Sequence, residues 1–370
     1  MEIPRFKLER FFAEYEFHVK HLLCGSDCES FSVAEVLALE PGAADRFADH
    51  RLGYTESQGS PTLRTEIARI YERTGPEHVV VHAGAEEGIF LFMHAALGPS
   101  DHVIVHWPCY QSLFQIAGSI GCEVSRWAAR ESEGWALDAD ELRGLLRPNT
   151  KAIVLNVPHN PTGYLMAADT FQAVSELAAE RGILLFSDEV YRESEYDPAR
   201  RLPAACDLGP HGVSLGVMSK TYGLPGLRLG WIATSNEALR NRISELKDYT
   251  TICTSAPSEF LAEVALRQRE RIVERNLGII RTNLAILDRF FETHAETFSW
   301  NRPSAGAIAF PRLLRGDIES FWSNAVAEAG VLLLPGSIFF ADGNHFRIGF
   351  GRASMPEAVD ALDGFLRKRG

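Results

Sequence analysis

The sequence predicts an α/β fold, with a large domain built on a mostly parallel central sheet joined to a smaller α+β domain. Three observations carry that expectation. From His78 to Trp231, short β-branched runs alternate with amphipathic stretches, the signature of successive strand–helix units. Polar and glycine-bearing clusters follow directly after those runs, at the strand ends where open α/β sheets bind ligands. The 370 residues, 46% of them hydrophobic, also exceed what one core organises, because cores stop growing beyond roughly 250–300 residues.

Residues 1–45 are expected to fold back onto the small domain, residues 46–270 to form the large one and residues 271–370 the small one. The strand signals are His78–His82, His102–Val105, Lys151–Leu155 and Ile183–Phe186, all rich in Val, Ile and Leu. Between them, Glu86–Leu97, Gln111–Ile120 and Ala168–Arg181 have helical periodicity, and Gly182 stops the last of these. After Ser255 a long helical stretch runs through Glu263 to about Glu296. The small domain then contains the apolar runs Ala307–Phe310 and His345–Gly349.

The formal net charge of -12, with no basic run, argues against nucleic acid or an anionic membrane surface as a partner. No apolar run approaches the ~20 residues of a membrane span, and Met1–Lys7 lacks an apolar signal core, so a cytoplasmic protein is expected. Cysteines 24, 28, 109, 122, 206 and 253 are scattered and read as reduced thiols; Cys24 and Cys28 lack a second ligand pair for zinc.

The chemistry-bearing residues cluster after the strand runs. The stretch Met218–Trp231 places Lys220 between Ser219 and Thr221, ahead of glycines 223, 226 and 230 and of Arg228. Of 37 Lys and Arg residues only six are lysines, so an amine at 220 stands out, although a solvated loop lysine is the ordinary alternative. A lysine beside a hydroxyl and an arginine suits a Schiff base next to a phosphate. Asp188 ends a buried strand, where a carboxylate wants a cationic partner; a helix cap competes with that reading. Asn160, in the turn-rich Val157–Gly163, and Tyr191 could both address a ring oxygen, and Tyr110 could stack on a planar group; a turn and plain packing are the alternatives. Gly84-Ala85-Glu86 opens a helix whose free N–H groups suit a phosphate. Arg347, in an apolar strand, wants a carboxylate, either from a ligand or from the protein.

Taken in order, these residues resemble the class I/II aminotransferases, the fold-type-I pyridoxal-phosphate enzymes. The resemblance covers nearly the whole chain: Leu52-Gly53-Tyr54 with Gly59 and Leu63-Arg64, Gly84-Ala85-Glu86, Pro108-Cys109-Tyr110, Asn160-Pro161-Thr162-Gly163, Asp188-Glu189-Val190-Tyr191, Ser219-Lys220 with Gly226–Gly230, and Phe346-Arg347-Ile348. It implies pyridoxal 5'-phosphate carried by Lys220, which also shuttles the Cα proton of an amino acid bound as an external aldimine. Asp188 would meet the pyridine nitrogen, Asn160 and Tyr191 the ring oxygen, and Tyr110 the ring face. Ser219, Arg228 and the amides at Gly84, Ala85 and Glu86 would hold the phosphate, and Arg347 the substrate's α-carboxylate. Tyr54 would reach in from the second subunit of a homodimer, and the Asn160-Pro161 bond is often cis in this family.

Two departures are visible. Where family members often carry a hydroxyl shortly before the lysine, this chain has Gly216, and Glu86 would lie at the phosphate end, so its side chain must turn away or meet Arg228. Within the family, the stretch from Ser219 to Trp231 with Lys247-Asp248-Tyr249 resembles the capreomycidine-synthase subgroup of antibiotic biosynthesis. That likeness implies β-elimination and cyclisation of a hydroxylated arginine, with ordinary transamination as the alternative. A guanidinium would need acidic residues, and Glu14, Glu16, Asp27 and Glu29 are the candidates. A non-catalytic sensor is a third reading; the intact Lys220 and the lack of a DNA-binding segment count against it.

Overall fold

The computed structural model describes residues 2–369. The chain begins with α1 (Lys7–Tyr15), β1 (His21–Leu22), α2 (Val33–Leu37), α3 (Ala43–Ala48) and α4 (Pro61–Ala68). The α/β region follows: β2 (Val79–His82), α5 (Gly84–Ala96), β3 (His102–Trp107), α6 (Ser112–Ile120), β4 (Glu123–Ala128), α7 (Ala139–Leu145), β5 (Thr150–Asn156), α8 (Ala168–Arg181), β6 (Leu184–Asp188), β7 (Gly212–Val217), β8 (Gly230–Ala233) and α9 (Glu237–Lys247). Its strands form one seven-stranded sheet in the order β2-β8-β7-β6-β5-β3-β4, parallel except for β8, which runs against both neighbours. Helices cover both faces, so β3, β5 and β6 are nearly continuous apolar runs rather than alternating ones.

Three strands escaped the sequence reading, each for a physical reason. Edge strand β4 is largely solvent-facing and polar. Strands β7 and β8 carry glycines where neighbours come too close for a side chain. A Cβ on Gly212 would lie 1.8 Å from the Ala205 carbonyl oxygen, and one on Gly216 would lie 2.3 Å from the Trp231 ring.

Beyond the sheet, α10 (Ala256–Arg267) and α11 (Arg269–Thr293) break at Gln268, so the single long helical stretch is two helices. The remaining elements are β9 (Phe298–Ser299), β10 (Ile308–Ala309), β11 (Arg312–Leu313), α12 (Ile318–Ala329), β12 (Val331–Leu332), β13 (Leu334–Pro335), β14 (Phe346–Gly349) and α13 (Met355–Arg367). Here β14 is the centre of a three-stranded antiparallel sheet with β10 and β13, packed against α11, α12 and α13. The expected 1–45 segment divides: β1 pairs with β12 in the small domain, whereas α2 and α3 pack on α4 and α10 of the large one, where Val36 and Ala43 are buried. Among the described residues no helix is long and apolar enough to cross a membrane.

Residues 23–29 form a crossing loop that sits where the two parts meet. The Leu23 N–H donates to Leu332 O, and the Leu23 carbonyl accepts from Gly349 N; farther on, Glu29 N donates to Gly351 O. A Cβ on Gly349 would lie 1.7 Å from Gly25 O, and one on Gly351 would lie 2.4 Å from Asp27 O. No side chain fits at either position unless the loop moves. Gly349→Ala is therefore expected to destabilise the protein by about 3 kcal/mol in urea unfolding. A loss below ~1 kcal/mol would show that the crossing loop is not clamped.

Candidate active site

The carboxyl ends of β5, β6 and β7 open into a cavity of about 680 Å³, roofed by α1 and the crossing loop. Lys220 lies in the turn after β7, partly buried at the cavity wall, with its Nζ donating to Ser26 Oγ at 2.9 Å. Burial pulls its pKa below the ordinary lysine value, against weaker upward pulls from Asp27 and Asp188. Lys247 is the fully buried lysine, and its Nζ donates to the Ser57 and Ile252 carbonyls at 2.6 and 2.8 Å, which is a structural role.

Strand register sets the next pair side by side: Asn156 at the end of β5 is opposite Asp188 at the end of β6. The Asn156 side chain donates to the Asp188 carbonyl at 2.9 Å and accepts from the Asn160 N–H at 2.6 Å, which ties the Val157–Gly163 turn to the sheet. The Asn160-Pro161 peptide is cis. Among the described residues the Asp188 carboxylate has no ion-pair partner. It accepts only from Val190 N at 3.2 Å, and burial pushes its pKa up to about 7. The Tyr191 hydroxyl is buried and has no hydrogen-bond partner among the described residues.

At the far end, Gly84 opens α5 with φ +72, and a Cβ there would lie 2.5 Å from Arg228 Nη2. The bare backbone leaves space for an anion between the first amides of α5, Arg228 and Ser219. Glu86 turns away from Arg228 and accepts from Ser112 Oγ at 2.9 Å; burial raises it to about 7. Gly216 is not the missing hydroxyl position: it lies under Trp231, and Val217, one residue closer to Lys220, faces the cavity.

Arg347, 1% exposed, donates from Nε and Nη2 to Cys24 O at 3.2 and 2.8 Å and from Nη1 to Asn160 Oδ1 at 3.1 Å. No protein carboxylate pairs with it among the described residues, so the intraprotein alternative drops away. Tyr110 lines the cavity and donates to Glu9 Oε1 at 3.4 Å. Tyr54 is 96% exposed and lies outside this chain's cavity. Of the four candidate acids, Glu16 and Asp27 line the cavity; Glu14 and Glu29 do not. Sequence reasoning missed Ser26, Glu9 and Arg352, which come from segments without a motif, and gave Asn156, at the start of the polar stretch after the third strand run, no role of its own. Only the Gly25-Ser26-Asp27 turn chemistry hinted at the first.

These features fit pyridoxal 5'-phosphate: one cavity brings together an amine, an anion cradle and, among the described residues, a buried carboxylate without a cation and a phenol without a partner. Comparisons with known proteins agree. The profile of the family described as aminotransferase class I and II matches residues 32–362. Capreomycidine synthase of Streptomyces vinaceus is 30% identical over all of this chain and 94% of its own length. A PLP-dependent aminotransferase from Streptococcus suis superposes with a TM-score of 0.93 at 32% identity, covering 100% of this chain and 99% of that one. The PLP-dependent cyclase OrfR superposes at 0.90 with 30% identity and the same coverage.

Two outcomes follow. Borohydride treatment of protein incubated with pyridoxal phosphate should leave a reduced adduct on the Lys220 peptide by mass spectrometry, and Lys220→Ala should leave none; an adduct elsewhere would move the site. In cofactor-free protein, the raised Asp188 pKa means the folded state holds a proton more tightly than the unfolded chain. Its stabilising contribution is thus complete below about 3.8 and is lost as pH rises through about 7. The stability difference between wild type and Asp188→Asn should fall across that window, and a flat difference would contradict the assignment.

Proposed function

The chain belongs to the aminotransferase class I and II family and is a pyridoxal-phosphate-dependent enzyme, and from that premise we propose that it removes the Cα proton of an arginine-type amino acid and eliminates a β-hydroxyl before ring closure. The bound cofactor supplies the electron sink that acidifies the Cα–H bond. The chain's own residues do the rest. Ser219, Arg228 and the first amides of α5 would hold its phosphate, Asp188 would keep a proton on its ring nitrogen, Asn160 and Tyr191 would address its ring oxygen, and Tyr110 would pack against the ring. Arg347 takes the α-carboxylate. Lys220, whose proton affinity burial lowers below that of an ordinary lysine, takes the Cα proton. Tyr54 completes the site from the second subunit of a homodimer; the exposure of Leu52, Tyr54, Tyr249 and Ile252 supports such an interface.

The observation that carries the substrate class is the charge balance left in the cavity. Arg352 is matched by Asp27, its Nη2 donating to both carboxylate oxygens at 3.0 and 2.9 Å. Arg347 and Arg228 are assigned to carboxylate and phosphate, and Glu86 is held by Ser112. What remains is Glu9 and Glu16, neither with an ion-pair partner among the described residues and both lining the cavity beside Phe12. Burial raises the Glu16 pKa, so a cationic side chain arriving there gains more than it would in water. The likeness to capreomycidine synthase and to the cyclase OrfR points the same way. Plain transamination is the second reading, favoured by the superposition on the Streptococcus suis aminotransferase.

A single-turnover incubation of holoenzyme with arginine, 3-hydroxylated arginines and neutral amino acids separates the two. Loss of water with the cofactor still an aldehyde supports elimination, whereas an oxo acid with the cofactor in its amine form establishes a transaminase. Glu16→Gln should weaken binding of the hydroxylated arginine about tenfold and leave citrulline unaffected, with Glu14→Gln as the silent control. Equal losses for both substrates would remove the guanidinium assignment.

A further inference from the structure

Ser26 Oγ is the one hydrogen-bond partner of Lys220 Nζ among the described residues, and its placement is built into the fold rather than incidental. The crossing loop that carries it is fixed from four sides. The Cys24 carbonyl accepts from Arg347, Glu29 N donates to Gly351 O, and the Glu29 carbonyl accepts from Arg275 Nη1 at 2.9 Å. Gly349 and Gly351 bring the strand backbone against the loop where any side chain would collide. The acids whose charges act on Lys220 are engaged elsewhere: Asp27 by Arg352 and Glu9 by Tyr110, while Asp188 is assigned to the pyridine nitrogen. That leaves the Ser26 hydroxyl as the protein proton donor in contact with the amine, lining the same cavity.

We propose that Ser26 is a catalytic relay that passes the proton collected by Lys220 to the hydroxyl leaving Cβ, an inference that rests on the elimination reading above. Lys220 Nζ accepts the Cα proton and becomes an ammonium, and the C–H electron pair becomes the Cα–Cβ double bond. Ser26 Oγ receives a proton from the ammonium while its own hydroxyl proton passes to the departing oxygen, which leaves with the C–O bonding pair as water. Lys220 returns to the amine and Ser26 to the hydroxyl. The substrate has lost one hydrogen and one hydroxyl, and no oxidant or reductant is consumed.

The test compares wild type, Ser26→Ala and Ser26→Thr holoenzymes with a 3-hydroxylated arginine in deuterated water, reading two quantities by mass spectrometry. Deuterium at Cα of recovered substrate reports Lys220, and loss of water reports the relay. Ser26→Ala should slow elimination about 100-fold while Cα exchange changes less than about threefold, and Ser26→Thr should restore elimination. A second arm needs no turnover: the pH midpoint for modification of Lys220 by pyridoxal in cofactor-free protein should fall by about one unit in Ser26→Ala, because the ammonium loses its acceptor. Exchange and elimination falling in parallel, or an unmoved midpoint, overturns the relay. Elimination in wild type that Ser26→Ala leaves intact overturns the relay alone, whereas wild type yielding only an oxo acid overturns the functional reading and takes the relay with it.

Discussion

The buried guanidinium of Arg347 is the constraint on which the site depends. It sits on β14 of the small domain, and its hydrogen bonds reach Cys24 in the crossing loop and Asn160 in the large domain. One side chain thus fixes three separate segments of the chain. A buried cation matched only by neutral oxygens is incompletely compensated, because each hydrogen bond recovers part of the lost hydration but supplies no opposite charge. The arrangement is stable enough to hold the segments in place and leaves an electrostatic deficit that an incoming carboxylate can fill.

The same logic, with signs reversed, governs Asp188. Its carboxylate sits where desolvation outweighs every compensating contact, so it favours a proton until a cationic partner arrives. Lys220 is depressed for the corresponding reason. The site is therefore a set of mutually incomplete charges held by a rigid sheet edge, where register places Asn156 against Asp188 without help from any loop. Desolvation that would only cost stability in a core here sets the proton affinities the chemistry requires.

Much of this was legible in the sequence because the parts obey local rules. Buried parallel strands read as Val- and Ile-rich runs, and the loops after them carried Asp188, Asn160 and Lys220 in the expected places. Strands β7 and β8 were illegible because their glycines answer to neighbours on other segments, Gly212 to Ala205, Gly216 to Trp231 and Gly230 to Gly84, that a linear reading does not see. Ser26, Glu9 and Arg352 were missed for the same reason: each gains its role from segments far apart in the chain. The acidic quartet was half informative, since spacing alone could not say that Glu16 faces inward while Glu14, two residues earlier on the same turn, faces solvent.

Helix α1 carries Glu9 and Phe12, with Glu16 just past its end, yet it has no part in the central sheet. It rests on Trp322 and on the segment around Phe339, and it is hitched to the large domain through Lys7 N and Gln111 Oε1 at 2.8 Å. Under the proposed function, the wall facing the substrate's side chain and the wall carrying Lys220 and Asp188 come from separable stretches of sequence. Substitutions between Lys7 and Glu16 would reshape that outer wall while leaving Lys220, Asp188 and the anion cradle in place, so specificity could change without rebuilding the catalytic frame.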